Sequence, residues 1–394
     1  MRFAKSISVA LALSMTACAT LPTADADRLQ TSDSEPLINR SEVVAVVASV
    51  DVATSLEQDA ARWGYDLKRK EALSGLGIWM LTFDCPPGID PEVATRELER
   101  LSPRSEVEVN HRFELSTARR VAALPQSPLT QGREFANQLI AWPKDGCEAS
   151  LRVGMIDGAV DRSALPDGAS VTSRSFVGAV GPEAARDHGT AVAQLLVGEG
   201  RLRDTDLFAA SVVAETADGE TYSGVEPMLR ALDWMARENV RVVNVSLAGP
   251  YNTTLKEGFR RATQRGMIVV AAVGNDGPDA RPRYPAAFDN VVAATAVDAN
   301  MKIYDRAVRG EHVDVSAPGV DVFIPGIDGG TYISGTSVAA PFVSAWLAVA
   351  SASDNSIDGT SARSALQTMT KDIGDAGRDS IYGQGLIRSD ARCR

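Results

Sequence analysis

The chain has 394 residues and a net charge of −11, with a pI near 5.0. This length allows two domains and a large core, and the acidic balance favours a soluble exported protein over a nucleic-acid-binding one. The three histidines and four cysteines show no zinc-binding spacing, so we expect neither a metal nor another cofactor.

The first residues have the pattern of a bacterial export signal. Arg2 and Lys5 precede an apolar run at residues 7–15. This run is too short to span a membrane as a helix. Residues 1–17 are therefore predicted to be a signal peptide.

Cys18 follows small residues in a pattern that resembles a lipobox, although Met15 stands where leucine is usual. Lipidation of Cys18 would place the protein in the periplasm or on the outer membrane. Release of the protease to the extracellular space after processing is the alternative location. Ordinary signal cleavage nearby is the alternative. The polar residues 18–40 are predicted to form a tether.

Residues 41–115 predict a compact α+β domain. Their apolar patterns give the order strand, helix, strand, strand, helix, strand, which is the ferredoxin-like pattern. The predicted strands are 42–48, 66–70, 76–83 and 106–113, and the predicted helices are 53–63 and 91–101.

Residues 146–394 predict a larger α/β domain, and residues 116–145 a linker between the two. Nearly continuous apolar strands alternate with helices, which is typical of a doubly wound, mostly parallel sheet covered on both faces. The predicted strands are 151–156, 207–214, 240–247, 267–273 and 291–297, and the predicted helices are 191–197, 225–238, 254–265 and 338–350.

Ser337 stands in a Gly-Thr-Ser sequence that leads into the apolar run 338–350. The run reads as a buried helix with Pro341 near its start, where a missing N–H costs little. A serine there lies beside unpaired backbone N–H groups that can hold a developing anion. Helix capping is the simpler interpretation of this residue alone.

Two upstream residues complete a possible catalytic set. Asp157 ends the strand 151–156, and His188 opens the helix 191–197 between an acidic residue and a glycine. Hydrolysis through a serine needs an imidazole base and a carboxylate that orients it. The order Asp, His, Ser is that of subtilisin, and the chain has no Gly-x-Ser-x-Gly elbow.

The chain resembles the subtilases, the subtilisin-like serine proteases, over about residues 151–386. The matching segments occur in order and at plausible spacing. They are Val-Gly-Met-Ile-Asp-Gly at 153–158, His-Gly-Thr-Ala-Val-Ala at 188–193, Val-Asn-Val-Ser-Leu at 243–247, Ala-Ala-Val-Gly-Asn at 271–275, Tyr-Pro-Ala at 284–286, Val-Ser-Ala-Pro-Gly at 315–319 and Ser-Gly-Thr-Ser-Val-Ala-Ala-Pro at 334–341.

The resemblance implies a serine endopeptidase and assigns its residues. Ser337 would be the nucleophile, His188 the general base and acid, and Asp157 the orienting carboxylate. Asn275 matches the family's oxyanion-hole asparagine, although Asn-Asp-Gly is also a good turn sequence.

The resemblance also implies how substrate binds. The segment Ser246, Leu247, Ala248 and Gly249 matches the strand end that pairs with an extended substrate. Ala271 and Ala272 match a wall of the pocket for the residue before the cleaved bond. Protein or peptide substrates are the expected partners.

Residues 41–115 match the subtilase propeptide in length and position. In the family this domain assists folding and then inhibits the enzyme within the same molecule, so we expect a zymogen that cleaves its own linker. Candidate processing sites include Leu115, Thr117 and small residues near Ala122. The loop after His188 is short, so the usual structural calcium site is not expected.

Cys147 and Cys393 bracket the larger domain and can join its two ends in an oxidising compartment, which would leave Cys85 free. Two other functions stay open at this point. One is a catalytically silent binding lipoprotein with this fold, and the other is an esterase that uses the same serine.

Overall fold

The computed structural model describes residues 41–116, 119–121, 135–178, 181–325, 330–388 and 393. The predicted signal peptide, Cys18 and the tether lie outside the described residues, as do residues 117–118 and 122–134 of the predicted linker.

The N-terminal unit is a four-stranded antiparallel sheet with two helices on one face. Its first helix is capped by Ser49 and its second by Asp90, whose side chains accept hydrogen bonds from first-turn N–H groups. The elements are β1 (Glu42–Val47), α1 (Val50–Arg62), β2 (Asp66–Leu73), β3 (Ile78–Asp84), α2 (Pro91–Leu101) and β4 (Ser105–Val109), with the strands in the order β2-β3-β1-β4.

Both faces of this small sheet are apolar, because side chains alternate along each strand. Val43 and Ala45 on β1 pack against the unit's own helices. Val44 on β1 points the other way, and with Ile78 and Met80 it belongs to the core of the large body. One face of the unit is therefore buried only by its contact with the rest of the protein.

Two short strands, β5 (Glu114–Leu115) and β6 (Arg119–Val121), follow the small unit along the chain. Neither joins the small sheet; both pair with strands of the large body.

The remaining residues form the large body. Its strands are β7 (Cys147–Glu148), β8 (Arg152–Asp157), β9 (Ser170–Ser175), β10 (Leu202–Arg203), β11 (Asp206–Ser211), β12 (Ala214–Glu215), β13 (Thr221–Tyr222), β14 (Val242–Val245), β15 (Leu247–Ala248), β16 (Ile268–Ala272), β17 (Val292–Val297), β18 (Val315–Pro318), β19 (Val322–Ile324), β20 (Thr331–Ser334), β21 (Thr370–Lys371) and β22 (Leu386–Ile387). Its helices are α3 (Phe135–Leu139), α4 (Asp187–Val197), α5 (Val225–Arg237), α6 (Thr253–Gln264), α7 (Thr336–Ser353) and α8 (Ala362–Leu366), with a 3₁₀ turn at Arg162–Ala164.

The central sheet has nine strands in the order β21-β22-β18-β17-β16-β14-β8-β11-β9. All neighbours run parallel except the edge pair β21 and β22. The next strands after β8 that join this sheet, β9 and β11, lie on one side of β8, and β14, β16, β17 and β18 follow in order on the other side. The predicted doubly wound sheet is therefore confirmed. Sites in such sheets lie at the carboxyl ends of the strands, near the point where the strand order reverses.

Helices cover both faces of this sheet. The apolar helix α7 packs on β14, β16, β17 and β18, and α4 packs beside it. On the other face, α5 and α6 lie between the large sheet and the small unit. Among the described residues, α7 alone is long and apolar enough to cross a membrane, and most of it is buried inside the protein.

The large body begins earlier along the chain than the predicted boundary at residue 146. Ala136, Ile140 and Trp142 belong to its core, and the Trp142 Nε1–H donates to the Gly200 carbonyl at 3.0 Å. Residues 135–145 therefore pack against the large body.

Candidate active site

Ser337 lies in the first turn of α7 and is fully buried. The helix begins after Gly335, whose N–H donates to the Gly319 carbonyl at 2.8 Å. The Ser337 Oγ is 3.1 Å from His188 Nε2. The hydroxyl is therefore positioned to give its proton to the imidazole.

His188, in the first turn of α4, is held by Asp157, the last residue of β8. The His188 Nδ1 lies 2.8 Å from Asp157 Oδ1, and the Gly158 N–H donates to the same oxygen at 2.6 Å. The Asp157 side chain is fully buried. A carboxylate in this position fixes the orientation of the imidazole and stabilises its charged form.

Gly189 permits this close approach of α4 to β8. A Cβ on Gly189 would lie 2.4 Å from the Gly158 carbonyl oxygen and 2.5 Å from the Ala159 carbonyl oxygen. Both are backbone atoms that cannot move aside. The glycine after His188 is therefore required by packing.

Asn275 follows β16 and is tied to the start of α7. Its Oδ1 accepts hydrogen bonds from both the backbone N–H and the hydroxyl of Thr336, each at 3.0 Å. The Thr336 hydroxyl also accepts a bond from the Gly274 N–H at 3.2 Å. The Asn275 side chain is therefore held in place through its oxygen. The sequence analysis did not predict these bonds to Thr336.

The chain itself occupies the groove beside Ser337. The Ser116 carbonyl oxygen lies 2.6 Å from Ser337 Oγ, and the Ser116 N–H donates to the Ser246 carbonyl at 3.0 Å. Leu115 pairs with Leu247 and Glu114 with Ala248 in antiparallel register. Residues 246–248 thus hold an extended segment by its backbone.

A second strand borders the same segment on its other side. Phe113 and Ser223 exchange two backbone hydrogen bonds, at 2.9 and 2.7 Å. The sequence around Ser223 has no pattern that distinguishes it from an ordinary turn. The sequence analysis therefore did not predict that Ser223 borders the groove. The bound segment is therefore bonded through its backbone to residues 246–248 and, at Phe113, to Ser223.

Gly249 lies beside Phe113 of the bound segment, and Ala271 and Ala272 end strand β16. A Cβ on Gly249 would lie 2.2 Å from the Phe113 ring, so the glycine leaves room for that side chain. Ala271 and Ala272 are fully buried in β16. Their assignment to a pocket wall stays a prediction.

Cys147 and Cys393 form a disulfide, with their Cα atoms 5.2 Å apart. Cys85 is a free thiol in the small unit, and burial raises its pKa to about 11. Neither feature lies in the groove.

The other two histidines lie outside the groove. His312 is partly buried, and this burial together with Arg363 and Arg378 lowers its pKa to about 4. His111 contacts the Asn252 side-chain amide through its Nδ1 at 3.1 Å. No cluster of three or more acidic, histidine or cysteine side chains that could hold a metal occurs in the described part of the chain.

Comparisons with known proteins identify the family of this chain. The model of the subtilase family (Peptidase_S8) matches residues 160–385. Subtilisin DY from Bacillus licheniformis is 31% identical over 260 residues, which is 62% of this chain and 90% of the relative. The chain belongs to the subtilase family. It is therefore a subtilisin-type serine protease, and the predicted subtilisin-like fold of the large body and the predicted enzyme class are confirmed.

Three further relatives cover most of the subtilase chain. An alkaline protease from Alkalihalobacillus alcalophilus is 26% identical over 389 residues, which is 89% of this chain and 96% of the relative. Among solved structures, fervidolysin from Fervidobacterium pennivorans aligns with a TM-score of 0.70 at 19% identity, covering 91% of this chain and 61% of that one. The epidermin leader peptide processing protease of Staphylococcus aureus aligns with a TM-score of 0.62 at 16% identity, covering 88% of this chain and 97% of that one. At these identities the solved structures support the fold alone.

Proposed function

We propose that this subtilase cleaves peptide bonds with Ser337 as nucleophile, His188 as general base and acid, and Asp157 as the orienting carboxylate. The observation that carries the proposal is the continuous contact from Asp157 through His188 to Ser337, at 2.8 and 3.1 Å. Asn275 and the Ser337 backbone N–H are the proposed donors to the oxyanion.

The reaction follows from these positions. Ser337 Oγ attacks the carbonyl carbon of the substrate while His188 Nε2 takes its proton, and the carbonyl oxygen becomes an oxyanion next to Asn275. His188 then gives the proton to the leaving amine as the C–N bond breaks, which leaves an ester on Ser337. Water, deprotonated by His188, hydrolyses this ester and restores the enzyme.

We further propose that the chain is made as a zymogen whose small unit inhibits the large body. The support is that residues 113–116 occupy the groove and that the Ser116 carbonyl oxygen lies 2.6 Å from Ser337 Oγ. The first bond cleaved is then Ser116–Thr117, which lies between the two positions named from the sequence, Leu115 and Thr117. The small unit would stay bound afterwards through residues 113–116 and its buried apolar face.

Export and a lipid anchor at Cys18 complete the proposal. The support for export is the apolar signal in residues 1–17 and the similarity to proteases such as the minor extracellular protease Epr of Bacillus subtilis, 29% identical over 220 residues. The support for the anchor is the lipobox-like sequence before Cys18. Intact mass of the N-terminal peptide from native membranes tests it, because a diacylated cysteine and an ordinary cleaved terminus differ in mass.

The decisive experiment compares the purified wild-type chain with Ser337→Ala. We expect the wild type to give a fragment that ends at Ser116 and a second that begins at Thr117, both measured by mass spectrometry. Ser337→Ala should stay uncut, with peptide hydrolysis lower by roughly 10⁶-fold. A fluorophosphonate probe should label only the wild type.

Three results would contradict parts of this proposal. Equal peptide hydrolysis by Ser337→Ala would remove the assignment of the nucleophile. Maturation of the purified Ser337→Ala chain would show that self-cleavage does not occur. A wild-type fragment that ends elsewhere, for example after Leu115 or near Ala122, would move the processing site.

A further inference from the structure

Three fully buried polar side chains form a hydrogen-bond network between the central sheet and α7. They are Asn244 on β14, Ser246 just after that strand, and Ser344 on α7. The Asn244 side-chain amide donates to Ser246 Oγ at 3.0 Å, and its Oδ1 accepts from the Ser344 hydroxyl at 3.1 Å. We propose that Asn244 and Ser344 are positioning residues that hold the substrate-binding backbone at Ser246 in fixed relation to the nucleophile. This inference rests on the proposed function.

Asn244 stands in the apolar interior of the sheet. Its strand reads Val-Val-Asn-Val and lies between β8 and β16. A buried amide in such surroundings lowers stability unless its oxygen and its nitrogen are both hydrogen-bonded. Residues 244 and 246 face the same side because side chains alternate along an extended chain. The Asn244 side chain is therefore held in two directions, along the chain to Ser246 and across to Ser344.

Ser344 connects this network to the nucleophile through the helix. Seven residues, or about two helical turns, separate Ser344 from Ser337, so both lie on the same face of α7, about 10 Å apart along its axis. The helix is buried over nearly its whole length. A shift of Ser344 relative to the sheet would therefore carry Ser337 with it, because a closely packed helix moves as a unit.

The network and the helix reach the same residue of the bound segment. The Ser246 carbonyl accepts the Ser116 N–H at 3.0 Å, and Ser337 Oγ lies 2.6 Å from the Ser116 carbonyl oxygen. The contacts thus close a loop that begins and ends at Ser116 and passes through the three buried side chains and α7. The two groups that hold the reacting residue, one at its N–H and one at its carbonyl, are joined to each other by the bonds of Asn244.

A network in this place acts on alignment and not on proton transfer. Ser344 is bonded to Asn244, whereas His188 is bonded to Asp157 and Ser337. Reaction rates within a bound complex fall steeply when the reacting groups are displaced, even by about 1 Å. Loosening the network should therefore slow the reaction of substrates that are held by the Ser246 carbonyl and spare those that are not.

The test is Ser344→Ala, which removes the hydroxyl and leaves a good helix former in its place. With a fluorogenic peptide copied from residues 111–118 and the matured protein, kcat/KM should fall about 3- to 10-fold, because Asn244 loses one of its two partners. Labelling by a small fluorophosphonate probe should stay within about 2-fold of wild type, since the probe has no N–H for the Ser246 carbonyl. Unchanged peptide kinetics, or an equal loss in both reactions, would overturn the inference.

A second peptide tests the alignment directly. It carries an ester oxygen in place of the N–H of residue 116, so it cannot donate to the Ser246 carbonyl, and cleavage after residue 116 is measured by mass spectrometry. Ser344→Ala should change kcat/KM for this peptide by less than about 2-fold, because two changes that act through one contact are not additive. A loss as large as that seen with the amide peptide would contradict the inference.

Ser351→Ala is the matched control. Ser351 is a buried serine on the same helix, and its hydroxyl donates to the Ala348 carbonyl of that helix at 3.2 Å. Its replacement should leave peptide hydrolysis and probe labelling within about 2-fold of wild type. A loss confined to the peptide and equal to that of Ser344→Ala would assign the effect to general loosening of α7 and overturn the inference.

The blank for every reaction is Ser337→Ala, which separates the inference from the proposed function. If Ser337→Ala is inactive while Ser344→Ala matches wild type in every assay, the proposed function stands and the inference fails. If Ser337→Ala cleaves the peptides as wild type does, both fail.

Discussion

The two sheets of this protein reach stability in different ways. The nine-stranded sheet is covered on both faces by helices of its own body. A disulfide joins Cys147 to Cys393, 246 positions apart in the same body. The four-stranded sheet covers one face with its own helices and buries the other only against α5 and α6. The large body is therefore self-contained, and the small unit depends on it.

The two units also contribute differently to the groove. All four side chains proposed for chemistry come from the large body, and each is fixed by contacts within that body. The small unit contributes no side chain to the proposed chemistry, and its residues 113–116 lie along the groove up to Ser337. Substitutions at the disulfide, at Asn275 and at Glu226 should therefore separately change the stability of the large body, the turnover of substrate and the binding of the small unit.

Loss of the disulfide should have the largest effect on the large body. The double variant Cys147→Ser, Cys393→Ser should lower its free energy of unfolding by about 2–5 kcal/mol, because the unfolded chain is no longer constrained by a long loop. Denaturant unfolding of the matured protein measures this, and a reducing agent should reproduce it in the wild type. Cys85→Ser is the matched control, and it should leave the unfolding of the large body unchanged. An equal loss in both variants would contradict the proposed role of the disulfide.

Replacement of Asn275 should lower turnover without loosening the small unit. Asn275→Ala should reduce kcat by about 10²–10³, which is the usual cost of one oxyanion donor. Asn275→Asp keeps an oxygen for the two Thr336 donors but loses the amide donor, so it should be equally slow while folding normally. Peptide kinetics test both variants. If Asn275→Asp kept wild-type kcat, the side chain would be a structural support for α7 only.

Replacement of Glu226 should loosen the small unit without lowering turnover. Glu226 stands in the first turn of α5, is buried, and accepts hydrogen bonds from Arg69 and Thr82 of the small sheet. Glu226→Gln should weaken binding of the cleaved small unit by about 1–3 kcal/mol, since it leaves a half-buried arginine without its charged partner. Release of the small unit from matured protein, followed by size-exclusion chromatography, measures this.

The control for Glu226 is a more exposed ion pair across the same interface. Glu71 and Arg230 are 2.7 Å apart, with the Glu71 side chain 40% exposed. Glu71→Gln should change binding by less than about 1 kcal/mol, because solvent screens such pairs. An equal loss in both variants would show that net charge, and not the buried contact, holds the units together.

Most elements of the fold could be predicted because their apolar patterns are long and regular. The helix predicted over residues 91–101 is Pro91–Leu101, and the strand predicted over 291–297 is Val292–Val297. The strand β9 was missed because its residues are polar and mostly exposed at the edge of the sheet. β5 and β15 have only two residues each, which is too short for any periodicity.

The site residues were visible from the sequence wherever a local motif carries them. Asp157, His188, Asn275 and Ser337 each stand beside small residues at a strand end or a helix start, since the chain must turn sharply there. Thr336 and Ser223 could not be found in this way. Their roles depend on partners 61 and 110 residues away along the chain, namely Asn275 and Phe113.

The sequence by itself determined the family, the parallel sheet and the residue types of the proposed triad, because each depends on short-range patterns. Only the tertiary structure decided which carbonyl lies at Ser337. Leu115, Thr117 and the small residues near Ala122 were equally eligible by composition. The choice of Ser116 depends on the register of two strand pairings, one with residues 246–248 and one with β20. Register between distant strands is set by packing of the whole molecule, and no local pattern encodes it.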